Sequence, residues 1–329
     1  MKNTPRFDVT VVGELNLDLI LYGLPEELEP ERELLADRLT LTLGSSSAIF
    51  AHNLSVLGSR VGFVSRTGDD PLGENSLQWL AEGGVDVSQV RKVAGPVSTG
   101  LSVILQHMGH RNILTYPGTM FEMGFEDLDL EYLASGRHFH LSSFFLHRAL
   151  LPRIVELFAT LKEGGLTVSL DVNDDPNDQW DSGLWRVLPY VDVFLLNARE
   201  ACKVAGLDEL EAAVTRLAST VPLVAVKLGG EGALAQKGEQ RFTSPPIQVD
   251  FVDPVGAGDS FDAGFIYQYV RGADVQTCLD YGNLAGAFST TRSGGTEAFR
   301  DRQGVRCFFD ARWPRGESEA ARNLTTATR

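Results

Sequence analysis

The sequence predicts an α/β protein in which helices cover both faces of a mostly parallel sheet, three layers in all, with a small β-sheet as a lid. Two observations carry the layered part. Apolar runs of strand length recur at Asp8–Val12, Val61–Val64, His138–Leu141, Leu166–Val172, Val193–Leu196 and Leu223–Lys227. Helix-length segments at Ala48–Leu57, Glu74–Ala81, Leu151–Glu163, Ala198–Val204 and Leu210–Ala218 lie between them, several closed by glycine. That alternation is the pattern of parallel strands joined by crossover helices. A third observation predicts the lid. Residues from about 15 to 43 and from 99 to 117 break the alternation and read as strands and hairpins, the second with a turn around Met108-Gly109-His110. A sheet this small cannot bury both faces alone, so one face should cover a ligand and the other should pair with a second subunit as a homodimer. One domain therefore spans 1–310, and the polar stretch 311–329 reads as a mobile tail.

Composition narrows the function. Across 329 residues, 29 Lys and Arg face 44 Asp and Glu, a formal charge of -15. Such a field repels nucleic acid and anionic membranes, so neither is an expected partner. Any bound nucleotide must find positive potential locally, at backbone amides, a helix N-terminus or a metal. Cys202, Cys278 and Cys307 form neither a disulfide framework nor a zinc motif, and a reducing, cytoplasmic setting fits. The apolar run from Val9 to Leu21 is broken by Glu14 and Asp18 and does not read as a signal peptide, and no stretch reads as a membrane span.

The stretch Asp253-Pro254-Val255-Gly256-Ala257-Gly258-Asp259-Ser260-Phe261 carries the chemistry. Small residues precede a segment that reads as a helix over Ser260–Val270. The amides of Gly256, Ala257 and Gly258 can then point into a concavity at a helix N-terminus, where orphan donors and the helix dipole attract a phosphate. Asp259 beside them can accept a hydroxyl proton as that oxygen attacks a γ-phosphate, and the dipole should keep its carboxylate ionised. A glycine-rich turn with a helix-start Asp is the plainer reading of the same residues.

This nonapeptide resembles the C-terminal signature of the ribokinase-like, or PfkB-type, carbohydrate kinases, and the resemblance extends to about Phe299. It implies a Rossmann-like three-layer α/β/α fold with a β lid, and an ATP- and Mg2+-dependent kinase acting on a hydroxyl of a sugar-like metabolite. It makes Asp259 the base and Gly256, Ala257 and Gly258 the anion hole. Asn16-Leu17-Asp18 resembles the substrate-binding Asn-x-Asp, and Gly68–Gly73 a structural loop. Asn197-Ala198-Arg199-Glu200 resembles the Asn-x-x-Glu element, with Asn197 near the phosphates and Glu200 ordering a magnesium-bound water; a plain helix cap also accounts for Asn197. Lys227, Gly229 and Gly232 fall in the nucleotide-binding loop, and Asn283 lines the nucleoside pocket. Asp253, Val255, Ser289, Arg292 and Gly294 match positions that hold a monovalent cation, potassium, in many relatives.

The chain also departs from that pattern. Gly44-Ser45-Ser46-Ser47-Ala48-Ile49 has Ser45 for a second glycine and Ile49 for an asparagine, so a polar contact to the substrate is expected to be lost, while Gly44 keeps its substrate-binding position and Ser45 still offers its amide and a hydroxyl. Ser142-Ser143-Phe144-Phe145 places hydroxyls and aromatics where an acidic or amide residue is common, which reads as a less polar pocket. The arginine expected soon after Asp171-Val172-Asn173 is replaced by Asp174 and Asp175. Arg111 on the lid can reach an acidic substrate or simply be solvated. His138 and His140 read as a structural pair rather than metal ligands. Neither Gly-x-Gly-x-x-Gly after the first strand nor Gly-x-x-x-x-Gly-Lys-Ser/Thr is present, against a dinucleotide or P-loop enzyme. A nucleoside kinase and a non-catalytic sensor of the same fold are the alternatives.

Overall fold

The computed structural model describes residues 4–107 and 110–313. Its first half contains β1 (Phe7–Val12), β2 (Leu17–Tyr22), β3 (Arg38–Leu43), α1 (Ser46–Val56), β4 (Val61–Gly68), α2 (Pro71–Glu82), β5 (Asp86–Val93), β6 (Leu101–Gln106), β7 (Arg111–Tyr116), α3 (Leu130–Ala134), β8 (Gly136–Leu141) and α4 (Ile154–Glu163). There follow β9 (Thr167–Asp171), α5 (Leu184–Val187), β10 (Val193–Asn197), α6 (Ala198–Ala205), α7 (Leu210–Ala218), β11 (Leu223–Lys227), β12 (Ala233–Lys237), β13 (Gln240–Ser244), α8 (Ala257–Tyr269), α9 (Val275–Ser289), α10 (Glu297–Arg300) and α11 (Arg302–Arg312).

Nine strands form one sheet in the order β13-β12-β11-β10-β9-β8-β1-β4-β5. The seven from β11 to β5 are mutually parallel, and β12 and β13 add an antiparallel edge. β10 and β11 are apolar on both sides, and the alternation of β10 divides the core in two. Phe194 and Leu196 of β10 pack with α4, α6 and α7, whereas Val193 and Leu195 pack with α1, α8 and α9. Helices thus cover both faces, as the sequence predicts.

The lid is a second sheet of four strands, β3-β2-β6-β7. Asp18 is paired with Thr42 of β3 and Ser102 of β6, so alternate residues Asp18, Ile20 and Tyr22 face the large sheet's helices. Ile20 and Ile104 pack there against Val255, clamping the lid onto the loop before α8. The predicted turn lies partly outside the described residues, which omit Met108 and Gly109; His107 donates its amide to the His110 carbonyl at 3.0 Å across it. The tail expected from 311 starts inside α11, and 314–329 lie outside the described residues. Among the described residues no helix is long and apolar enough to cross a membrane.

Candidate active site

α8 starts at the loop that the sequence singled out. Gly256 caps it at φ 74°, a left-handed conformation suited to glycine, and lies against Gly295 and Ile49. Ile49 is therefore buried beneath the Gly256 loop, packing against it. Asn53, one turn further along α1, locks the same junction by donating to Ser260 Oγ at 2.9 Å and the Gly295 carbonyl at 3.0 Å. The Ala257 amide is taken by the Pro254 carbonyl at 3.2 Å. Gly258 and Asp259 carry first-turn amides, which a helix leaves for an outside acceptor.

Asp259 is only partly covered, yet its carboxyl is pushed up to about 6, by burial first and then by the charge of Asp171, against the pull of Lys227 and a hydrogen bond from Ser46. Burial thus raises this carboxyl even at a helix N-terminus. At neutral pH it is still mostly ionised.

Behind α8 lies a buried charge cluster that the sequence did not reveal. Lys227, at the end of β11, donates to Asp171 of β9 at 2.8 Å and to Asp262 of α8 at 3.0 Å. Burial opposes ionisation of Asp171, but the Lys227 charge prevails and holds it at about 2. Burial and the neighbouring Asp171 hold Asp262 well above the usual carboxylate range. The ammonium also lies under the anion hole, 3.6 Å from where a side chain on Gly258 would begin.

Asn197 and Glu200 form a closed capping box at the start of α6. Glu200 accepts from the Asn197 amide at 2.8 Å and from its Nδ2 at 2.5 Å, while the Glu200 amide donates to Asn197 Oδ1 at 2.9 Å. Glu200 is buried rather than exposed, and burial followed by the Asp171 charge pushes it up to about 7. On the far side, Gly229 and Gly232 take left-handed turns between β11 and β12. Gly232 lies against Ser244 and Pro245, whose carbonyls accept from Asn283 of α9 at 3.1 and 3.2 Å. Loop, strand end and helix thus converge.

Over this floor the lid presents Asn16 and Asp18. Burial, then the charge of Asp259, pushes the Asp18 carboxyl up to about 7, against a hydrogen bond from Ser102 and the charge of Arg111. Arg111 itself is exposed at the start of β7. Asn16 Nδ2 donates weakly to Ser102 Oγ at 3.4 Å, and its buried Oδ1 has no hydrogen-bond partner. Gly44 packs directly on Asp18. Ser45 holds φ 59°, a left-handed conformation unfavourable for a serine, and donates to the Glu14 carbonyl at 2.9 Å.

A polar chain missed by sequence reasoning links this rim to Asp259. Asn173 Nδ2 donates to Ser46 Oγ and, at 3.0 Å, to Ser143 Oγ. Ser143 donates to buried Glu14 at 2.7 Å, as does Ser47 Oγ at 2.7 Å. The signal was present: Glu14 and Asn173 each follow a strand at its C-terminal end, where open α/β sheets bind ligands. Phe144 and Phe145 are core residues, Phe145 against Trp180, so they do not make the pocket less polar. His138 and His140 share Ser169 Oγ at 2.7 Å each inside the sheet, and among the described residues no group of His, Cys, Asp and Glu is arranged to hold a metal.

Residues 6–302 match the pfkB family carbohydrate kinase domain. The chain is 31% identical to an ATP-dependent ribose-1-phosphate kinase of Halopiger xanaduensis, over 88% of this chain and 94% of that one. Arabidopsis thaliana ribokinase, solved with ribose and ATP, aligns over 93% of this chain and 98% of its own with a TM-score of 0.75 and 24% identity. A ribokinase-type protein of E. coli in complex with ATP and Mg2+ aligns with a TM-score of 0.79 and 23% identity, over 92% and 99% of the two chains. These structural neighbours share the layered sheet and fix the fold as ribokinase-like.

Proposed function

This chain belongs to the pfkB family of carbohydrate kinases and is a phosphotransferase, and on that premise we propose that it moves the γ-phosphate of ATP to a hydroxyl of a sugar or sugar-derived metabolite, with Asp259 as general base. The observation that carries this reading is the place of Asp259. It stands at the first turn of α8, over the Lys227 ammonium and within the electrostatic reach of Asp18 on the lid. Of the hydroxyls bound by the lid, one would donate to Asp18 and another to the unpartnered Asn16 Oδ1, and a neighbouring hydroxyl would meet the Asp259 carboxylate. Asp259 takes that proton as the oxygen attacks the γ-phosphorus, the bond from that phosphorus to the β,γ-bridging oxygen breaks with its electron pair leaving on ADP, and the Gly258 and Asp259 amides receive the charge on the transferred group. Lys227 adds a fixed positive charge from below, in a chain that lacks the arginine expected after Asn173.

The Gly232, Ser244 and Asn283 convergence supports a place for the nucleoside, and Asn197 one for the phosphates. Glu200 suits Mg2+ that is carried chiefly by phosphates and touched by one carboxylate through water; such an ion neutralises phosphate charge. The acidic surface supports a cytoplasmic metabolite enzyme without nucleic-acid partners. The outer face of the lid supports a homodimer.

Asp259→Asn tests the assignment. Turnover in an ADP-release assay across sugars, sugar acids and nucleosides should fall by about three orders of magnitude or more, with nucleotide binding kept. The folded-state carboxyl is raised, so the folded protein binds more protons than the unfolded chain between about pH 4 and 6, and stability falls across that window. Above it the ionised Asp259 is a standing cost, so Asp259→Asn should melt no lower than the parent at pH 8. Undiminished turnover would sink the base. Ligand binding without turnover by the parent protein would favour the sensor.

A further inference from the structure

Resting on the kinase reading, we infer that this enzyme needs no monovalent cation, because Tyr22 of the lid already holds the carboxylate that would bind one. The sequence resemblance places a potassium site at Asp253, Val255, Ser289, Arg292 and Gly294, mostly through backbone carbonyls, and the one carboxylate among them, which would supply the site's negative charge, is already taken by protein donors.

Asp253 is 1% exposed, and both of its oxygens are occupied by protein donors. Oδ1 accepts from the Val255 amide at 2.9 Å and from Gln106 Nε2 at 3.5 Å. Oδ2 accepts from the Tyr22 hydroxyl and from the Gly294 amide at 3.2 Å. An ionised carboxylate offers about four lone-pair sites, so no free one faces a cation. Ser289 is engaged within the protein as well: its hydroxyl is turned to the Gly295 carbonyl at 3.5 Å, and its own carbonyl accepts from the Arg292 amide at 3.4 Å. A fixed cation already stands beside the loop. The Arg38 guanidinium lies 3.9 Å from the centre of the Tyr22 ring and donates to Ser293 Oγ at 2.7 Å. Burial, and then the bond to Asp253, pushes the Tyr22 phenol up to about 12, which keeps it a donor at any working pH.

The contact also couples two functions. Tyr22 and Ile20 come from β2, and Gln106 and Ile104 from β6, and together they grip Asp253 and Val255 immediately before the anion hole. Seating of the lid, rather than an ion, orders the Gly256–Asp259 turn. Tyr22 is thus a positioning residue.

The test compares potassium, sodium and tetramethylammonium chloride at one ionic strength, reading turnover, nucleotide affinity and melting temperature. The parent protein should vary by less than about twofold in turnover and affinity, with no potassium-specific rise in melting temperature, since a bound ion would stabilise the fold by mass action. Tyr22→Phe removes only the hydroxyl and frees Asp253 Oδ2. It should lose about tenfold in turnover and nucleotide affinity in tetramethylammonium, and recover part of both in potassium. Strong potassium activation of the parent, or a potassium-specific melting shift, would overturn the inference, as would a Tyr22→Phe protein indifferent to the salt. The melting and affinity readings decide it even if no acceptor is turned over, a result that would count against the kinase reading alone.

Discussion

The floor of the site and its lid differ in how many of their polar groups the protein itself satisfies. On the floor, Lys227, Asp171 and Asp262 bind one another, and Glu200 is closed by Asn197. These groups sit at the ends of parallel strands and on α6 and α8, elements fixed by two apolar cores. On the lid, Asn16 Oδ1 has no partner, Asp18 is left with a raised carboxyl, and Arg111 is exposed. Phosphoryl transfer depends on charges fixed before the reaction, so the floor gains from being complete. Recognition depends on polar groups that only the right hydroxyls satisfy, so on the proposed reading the lid gains from being incomplete.

The contrast breaks most directly at Lys227. Lys227→Met strands Asp171 in the interior, and a buried ion pair that loses one partner typically costs about 3–5 kcal/mol, so a large fall in melting temperature is expected. Turnover should fall with it. Lys227→Met combined with Asp171→Asn should regain much of the stability but not the turnover, which separates scaffold from chemistry. A single variant as stable and active as the parent would show that the floor does not rest on this cluster.

A smaller effect sharpens the same point. Asp259 must be ionised to act as base, and its carboxyl sits at about 6 in the ligand-free protein. The rate at low acceptor concentration should therefore be level above neutrality and fall as the pH drops through about 6. Lys227 pulls that carboxyl down, so any residual activity of the Lys227→Met protein should show the same fall displaced to higher pH. A pH profile flat to pH 5 would remove Asp259 from the role.

Much of this was legible in the sequence, and the exceptions have physical causes. The central strands were readable because burial on both faces leaves continuous apolar runs such as Val-Phe-Leu-Leu at 193–196. β5, at one edge, reads Asp-Val-Ser-Gln-Val-Arg-Lys-Val, and β13, at the other, Gln-Arg-Phe-Thr-Ser; polar edges conceal both strands. The helix start at Gly256 was readable because its left-handed cap requires a glycine locally. The charge cluster was not, since Lys227, Asp171 and Asp262 come from three separate elements and only the fold brings them together. Tyr22 and Asp253, 231 residues apart, were equally out of sight.

The smallest effect on chemistry should come from the outer face of the lid. Its alternate residues, turned away from Asp18, line up in register: Leu41 opposite Leu19, Leu19 opposite Val103, and Val103 opposite Leu114, across all four strands. Leu39, Leu114 and Tyr116 are each half exposed or more. A contiguous apolar stripe on a thin sheet marks a surface that water does not favour, and a second copy of the same face would cover it symmetrically. Leu41→Glu with Leu114→Glu should convert a dimer to a monomer in light scattering. If the lid serves recognition and the floor chemistry, the monomer should bind its acceptor several-fold more weakly while keeping its maximal rate within about threefold. A parent already monomeric at high concentration would reject the dimer, and a collapse of the maximal rate would mean that the two halves of the site are less separable than their hydrogen bonding indicates.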